Sequence, residues 1–68
     1  MKLTPAQIKR LRKRAGLTQR EAAVLVHVGL RGWQAWESPS ELSTSRQMPE
    51  AYVELFCIKT KIPYPPKI

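Results

Sequence analysis

The first third of the chain alternates apolar and charged positions with the period of an α-helix. One side of this predicted first helix carries Ile8, Leu11, Arg12 and Ala15, and the other side carries Lys9, Arg10, Lys13 and Arg14. Because side chains three and four residues apart share a helix face, the first set predicts a packed face and the second a solvated face. Such a helix packs against its neighbours on one side only.

Both ends of the first helix are marked by residues with known capping roles. Thr4 is a good N-cap, Pro5 suits the first helical position, and Gln7 completes a capping box three residues after the cap. Gly16 predicts the end of the helix, because glycine adopts the left-handed conformation needed after a helix C-terminus. Leu17 can then fold back onto the last turn.

A second helix, a tight turn and a third helix follow. Thr18 and Glu21 repeat the capping box, so the second helix is predicted for residues 19–26. We expect the turn at residues 27–29 and the third helix at residues 30–37. The apolar side of the second helix consists of Ala22, Ala23, Leu25 and Val26.

The third helix contains two tryptophans, Trp33 and Trp36, three residues apart and therefore on one face. Tryptophans can stack on the bases of single-stranded nucleic acid. At this spacing on a short helix they more often belong to a core, and we assign both to the core.

The second half of the chain is less regular. Residues 38–48 are rich in Ser, Thr and Pro and are predicted to form a loop. Pro49 is predicted to open a fourth helix, and residues 62–66 should be extended, near polyproline II. The apolar positions of the fourth helix are Tyr52, Val53, Leu55, Phe56 and Ile58. The whole pattern predicts an all-α fold, a compact bundle of about four short helices with an extended Pro-rich tail at residues 61–68.

The charge is unevenly distributed. Of the twelve Lys and Arg residues eight lie in residues 1–31, which contain one carboxylate, Glu21, whereas residues 32–68 carry four charges of each sign. The net charge of +7 therefore belongs to the part that contains the predicted helix pair and the helix before it. For an arbitrary small protein a solvated basic face is the simpler explanation. Because the excess positive charge lies in the part that contains the predicted helix pair, it favours a polyanionic partner here.

Several classes of protein are not expected from this composition. With one cysteine, Cys57, and one histidine, His27, neither an internal disulfide nor a structural zinc site is expected. The longest uncharged stretch, residues 22–30, is too short to span a membrane, and no apolar secretory segment follows the basic start. Carboxylates and histidines do not cluster, so we expect no enzyme activity, no metal, no cofactor and no small-molecule ligand. A soluble cytoplasmic protein is the resulting expectation.

A set of positions keeps the spacing of a known family: Arg12, Gly16, Leu17, Thr18, Gln19, Ala23, Trp36 and Glu37. With these, residues 6–38 resemble the phage-repressor type of helix-turn-helix domain, the Cro-like or Xre-like family. The resemblance implies that residues 1–60 form a DNA-binding domain, in which the second helix lies across the DNA backbone and the third enters the major groove. More loosely, the layout resembles that of regulators encoded beside anti-CRISPR genes.

The resemblance also implies roles for individual residues. Those implied to read base edges from the third helix are Leu30, Arg31, Gln34 and Ala35. Those implied to contact phosphates, and so to affect all DNA sequences alike, are Thr18, Gln19, Arg20, Ser38 and Arg46. Arg12 and Glu37 match positions that form a partly buried ion pair. Either this pair is purely structural, or Arg12 also touches a phosphate.

The sequence departs from the family at four places. His27 stands where glycine is usual, which is workable because histidine tolerates positive φ better than most residues. Gly29 replaces the commoner Ser or Thr before the third helix. The loop after the third helix is longer than usual, and a Pro-rich tail replaces a fifth helix, so the family's dimer geometry does not transfer directly.

The apolar surface of the fourth helix exceeds what one face can bury, which predicts a homodimer. Its interface is expected at Tyr52, Phe56 and Tyr64, with the tail lying across the partner. The first hypothesis is a phage or mobile-element repressor that binds an inverted-repeat operator in double-stranded DNA. Two alternatives stay open: an antitoxin-like protein-binding module in which DNA binding is secondary, and an RNA-binding module.

Overall fold

Four helices make up the regular structure of the residues that the structure describes. A computed structural model describes residues 2–39 and 46–68, and within these ranges it contains no strand. The helices are α1 (Pro5–Arg14), α2 (Gln19–Leu25), α3 (Leu30–Glu37) and α4 (Glu50–Thr60). The prediction of a compact all-α fold with four short helices is confirmed.

The start of α1 is held by the predicted capping box. The Thr4 hydroxyl accepts a hydrogen bond from the Gln7 amide at 3.2 Å, and the Gln7 side chain accepts one from the Thr4 amide at 2.9 Å. After the helix, Gly16 adopts φ +73° and the Leu17 amide donates to the Arg12 carbonyl. Both ends of α1 are therefore determined by local hydrogen bonds.

The second capping box is also present, between Thr18 and Glu21. The helix ends at Leu25, one residue earlier than expected, and Val26 is its C-cap. His27 follows with φ 62°, as its position in the turn requires. A residue in the left-handed region cannot continue a right-handed helix, which explains why α2 stops here.

The core lies between the four helices and is centred on aromatic rings. Trp33 lies 5.4 Å from both Trp36 and Phe56, measured between ring centroids, and Tyr52 packs on Trp36 at 5.3 Å. The other side chains that are almost completely buried include Ile8, Leu11, Val26, Met48, Val53 and Cys57. The assignment of both tryptophans to the core is confirmed.

The segment between α3 and α4 is described at its two ends. Residues 38–39 and 46–49 are not helical, in agreement with the predicted loop, whereas residues 40–45 of that prediction lie outside the described residues. Pro49 is the N-cap of α4 and not its first residue. Met48, just before it, is buried and joins the segment to the core.

The C-terminal segment differs from the expectation of an extended tail. It bends at residues 64–65 and returns to α1, where the Ile68 carbonyl accepts from Gln7 Nε2 and the Lys67 carbonyl accepts from Arg14, each at 3.4 Å. Pro66 is buried and Ile68 packs against the core. Burial of these two side chains against their own domain explains the turn back.

None of the helices among the described residues has the length and the apolar content needed to cross a membrane.

Candidate nucleic-acid interface

The unit formed by α2, a short turn and α3 carries most of the residues implicated by the sequence. The turn is closed by backbone bonds from His27 to the Val24 carbonyl (3.1 Å) and from Val28 to the Ala23 carbonyl (3.0 Å). From α4, Lys59 Nζ donates to the Leu25 carbonyl at 2.9 Å and lies 3.1 Å from His27 Nε2. The turn therefore has a defined geometry, which determines how α3 is directed relative to α2.

Helix α3 has a buried and an outer face. Trp33 and Trp36 are buried, whereas Arg31 and Gln34 are exposed and Leu30 is half-buried. An open depression of about 310 Å³ is lined by Arg31, Gln34, Ala35 and Ser38. We call the surface formed by these four residues the outer face of α3. Three of the four residues implied to read bases thus lie together, and Leu30 lies beside them at the start of the helix.

The ion pair implied between Arg12 and Glu37 is formed. Arg12 Nε lies 2.7 Å from Glu37 Oε2 and Nη2 lies 3.1 Å from Oε1, so the contact is bidentate. The side chains are 11% and 4% exposed, respectively. Arg12 Nη1 also donates to the Leu17 carbonyl at 2.9 Å. One guanidinium therefore joins α1, the start of α2 and the end of α3.

Glu37 accepts two further hydrogen bonds that the sequence did not indicate. Trp33 Nε1 donates to Oε2, and Gln19 Nε2 donates to Oε1 at 3.2 Å. Burial alone would raise the pKa of Glu37, but hydrogen bonds from Arg12, Trp33 and Gln19 outweigh it, and the pKa is lowered from its ordinary value of 4.5. The hydrogen bond to Glu37 in turn raises the pKa of Arg12.

This network extends to the outer face of α3 through Gln19. The Gln19 side-chain oxygen accepts a hydrogen bond from Gln34 Nε2 at 3.4 Å, while its nitrogen donates to Glu37. Gln19 is half-buried and has one amide hydrogen left for an external partner. It therefore connects the buried ion pair to an exposed residue of α3.

The other residues implied to contact phosphates lie near the start of α2 and near the end of α3. Thr18 and Arg20 lie at the start of α2, where the Thr18 hydroxyl is used by the capping box and Arg20 is exposed. Ser38 donates to the Gln34 carbonyl at 2.8 Å. The Arg46 amide donates to the Ala35 carbonyl at 3.1 Å, which places this exposed residue at the end of α3.

The residues assigned to a dimer interface differ in how deeply they are buried. Phe56 is fully buried against Trp33, so its assignment to an interface is corrected: it is a core residue and presents no surface to a partner. Tyr52 is half-buried on Trp36, and Tyr64 is 38% exposed. The most exposed apolar side chain of α4 is Ile58, which the interface prediction left out.

We expect the stability of the fold to fall steeply in acid because of Glu37. Since its folded-state pKa lies below the ordinary value of 4.5, the ionised carboxylate stabilises the fold above that value, and the contribution is lost as pH falls through the lower folded-state pKa. Urea titrations between about pH 6 and pH 3 should show that the free energy of unfolding falls less for Glu37→Gln than for the wild type. Glu54→Gln, at an exposed carboxylate, is the control and should behave as the wild type. Parallel curves for Glu37→Gln and the wild type would contradict this prediction.

No protein-family model matches the sequence, and comparison with curated proteins finds no similar sequence. A proposal for the function therefore rests on the residues and their geometry. Within residues 2–39 and 46–68 no cluster of His, Cys, Asp or Glu is suited to hold a metal ion.

Proposed function

We propose that this chain is a sequence-specific regulator that binds double-stranded DNA, with α2, the turn and α3 acting as a helix-turn-helix. In this proposal α3 enters the major groove, and Arg31 and Gln34 contact base edges there. The protein acts as a homodimer on an inverted-repeat operator and represses transcription by covering a promoter. The resemblance to phage repressors suggests a phage or mobile-element origin.

One observation carries the proposal: the outer face of α3 is open and presents the polar side chains of Arg31, Gln34 and Ser38 on a helix that is anchored at both ends. Its start follows the closed turn at His27, and its end is held by the bidentate contact between Arg12 and Glu37. A site that reads bases needs donors on a rigid element, because a mobile segment would have to be ordered on binding at a cost in conformational entropy. Arg31 and Gln34 meet this requirement, as both are exposed on the anchored helix.

Selection of bound sequences from a random pool of DNA duplexes tests the proposal directly. We expect enrichment of one short motif, repeated in inverted orientation if the protein binds as a dimer. Competition with RNA of mixed sequence should not displace the selected duplex. A pool that stays random after repeated rounds, or equal competition by RNA, would contradict DNA reading.

Replacement of Gln19 by alanine should have two effects on DNA binding. Loss of a phosphate contact weakens binding to every sequence, and loss of the hydrogen bond to Gln34 changes the preference at the base pair that Gln34 reads. Each effect should be of the order of 0.5–1.5 kcal/mol, since one hydrogen bond is removed in each case. The selected motifs of the two proteins provide the measurement.

The control for this prediction is Arg20→Ala, which removes an exposed charge next to Gln19 and should weaken binding without changing the motif. If Gln19→Ala also keeps the wild-type motif, then Gln19 acts only on the backbone of DNA and does not orient Gln34.

An antitoxin-like module that binds a protein is the second candidate, and exposed apolar side chains favour it. Val24 and Ile58 are 68% and 65% exposed, and Tyr64 is 38% exposed. Such side chains mark a protein interface when they form one contiguous patch. Substitution Ile58→Glu distinguishes the two functions: it should leave binding of a single half-site unchanged if DNA reading is primary.

A further inference from the structure

The turn between α2 and α3 is braced by a residue of α4. Lys59 Nζ donates to the Leu25 carbonyl at 2.9 Å and lies 3.1 Å from His27 Nε2. Leu25 is the last residue of α2, and the last carbonyls of a helix have no partner within it. The two carbonyls before it accept from amides of the turn. Lys59 therefore supplies the partner that the turn does not give to Leu25.

The contact between Lys59 and His27 requires one protonation state of the histidine ring. An ammonium group has three donors and no acceptor, so Nε2 of the ring must accept and the ring proton must lie on Nδ1. A protonated imidazole has an N–H at both nitrogens and accepts at neither. It would also place a second positive charge 3.1 Å from the ammonium. The contact can therefore form with the neutral ring only.

No carboxylate is placed to compensate a charged His27. Within residues 2–39 and 46–68, neither its ring nor Lys59 Nζ has a carboxylate contact. The other charged residues of α2, α3 and α4 are Arg20, Glu21, Arg31, Glu37, Glu50 and Glu54. Glu21 is used by its capping box and Glu37 by the ion pair, and the two carboxylates of α4 lie more than a helical turn before Lys59. Protonation of His27 would leave two cations in contact.

The start of α3 depends on this turn. Gly29 is the N-cap of α3 and offers no side chain to the amides of its first turn. His27 has φ 62°, a conformation that is unfavourable for a residue with a side chain and has to be held by its surroundings. Arg31 lies in the first turn of α3, four residues after His27. A shift of the turn therefore moves the residue that is proposed to read a base.

We propose that protonation of His27 releases Lys59 from the turn, so that base reading by α3 weakens as the pH falls from about 7 to about 5.5. This inference rests on the proposed DNA binding by α3. His27 is exposed to solvent and is the only histidine in the sequence. In this range carboxylates, lysines and arginines keep their charge, and burial raises the pKa of Cys57 from its ordinary value of 9.0. His27 is therefore the side chain whose charge changes.

The expected direction is opposite to that of a simple charge effect. An added positive charge strengthens binding to DNA of any sequence, because the partner is a polyanion. A displaced α3 instead weakens binding to the operator more than binding to an unrelated duplex, since only the base contacts depend on the direction of the helix. The ratio of the two affinities, the specificity ratio, therefore separates the two effects.

The specificity ratio of the wild type is measured with the selected operator and a mixed-sequence duplex, at about pH 7 and about pH 5.5 and constant ionic strength. We expect the ratio to fall by roughly two- to tenfold at the lower pH, which corresponds to the loss of one hydrogen bond. The NMR signals of the imidazole ring provide a second readout, because the sequence has one histidine. They should change over the same pH range as the ratio.

Four variants assign the effect to this contact. His27→Asn does not titrate and tolerates positive φ, so its ratio should not depend on pH. Lys59→Met removes the donor and should show a low ratio at both pH values, and Lys59→Arg restores a donor and should recover the ratio at neutral pH. Lys61→Met is the matched control: it removes the same charge from an exposed residue two positions later and should behave as the wild type. Thermal melts at both pH values show whether each variant is folded.

Each outcome decides a different point. A wild-type ratio that stays constant or rises in acid overturns the inference and leaves the proposed function intact. The same holds if His27→Asn keeps the pH dependence. If Lys59→Met reads the operator as well as Lys61→Met at neutral pH, the brace has no role in base reading and the inference is wrong, even where His27→Asn does not fold. If the wild type shows no preference for any operator at neutral pH, DNA reading fails and the inference fails with it.

Discussion

Replacing Arg12 by alanine is expected to lower the free energy of unfolding by about 3–5 kcal/mol. The substitution leaves Glu37, 4% exposed, inside the domain without the cation that compensates its burial. It also removes the bond from Arg12 to the Leu17 carbonyl, which links α1 to the start of α2. A domain of this size has a total stability of roughly 3–5 kcal/mol, so Arg12→Ala should be largely unfolded at room temperature. Urea and thermal titrations followed by circular dichroism provide the measurement.

Lys9→Ala and Lys13→Ala are the matched controls on the same helix. Both residues are exposed and should change stability by no more than about 0.5 kcal/mol. The double variant Arg12→Ala/Glu37→Gln adds a sharper test. Because it removes the orphaned charge, it should be more stable than the sum of the two single losses predicts. Equal midpoints for Arg12→Ala and the lysine variants would show that the pair does not hold α1 to α3.

Replacing Arg31 by alanine is expected to relax base preference at one position of each half-site. It should weaken binding to the preferred sequence by about 1–3 kcal/mol. Arg31 is exposed in the first turn of α3 and lines the depression together with Gln34. An arginine at such a position can donate two hydrogen bonds to guanine. Binding to a non-specific duplex should weaken far less. Binding isotherms for the selected operator and for each single-base variant give the preference profile.

The comparison for Arg31→Ala is Arg46→Ala, which removes an exposed cation at the other end of α3. Because Arg46 is assigned to a phosphate contact, Arg46→Ala should lower the affinity for all sequences and reduce the salt dependence of binding by about one unit of slope. An unchanged preference profile for Arg31→Ala would mean that α3 does not read bases through this residue.

The local sequence was sufficient to predict the four helices and, to within one residue, the start of each. Thr4, Thr18 and Gly16 act through hydrogen bonds and backbone conformation within a few residues, and such interactions are already contained in a short segment. The side of α3 that packs inward also followed from the spacing of Trp33 and Trp36. The positive φ of His27 was expected from the resemblance, because glycine is usual at that position.

Only the tertiary structure decided which surfaces remain available. Phe56 was expected at an interface but is buried, because α4 packs it against Trp33, a contact between distant parts of the chain. The tail was expected to be extended, but burial of Pro66 and Ile68 returns it to α1.

The candidate site shows the same division between sequence and structure. Three of the residues that line the outer face of α3, Arg31, Gln34 and Ala35, were implied by the resemblance. The hydrogen bonds that Gln19 makes with Glu37 and Gln34 were not, because they depend on how α2 is placed against α3. Local interactions determine the elements, and packing between distant residues determines where each side chain points.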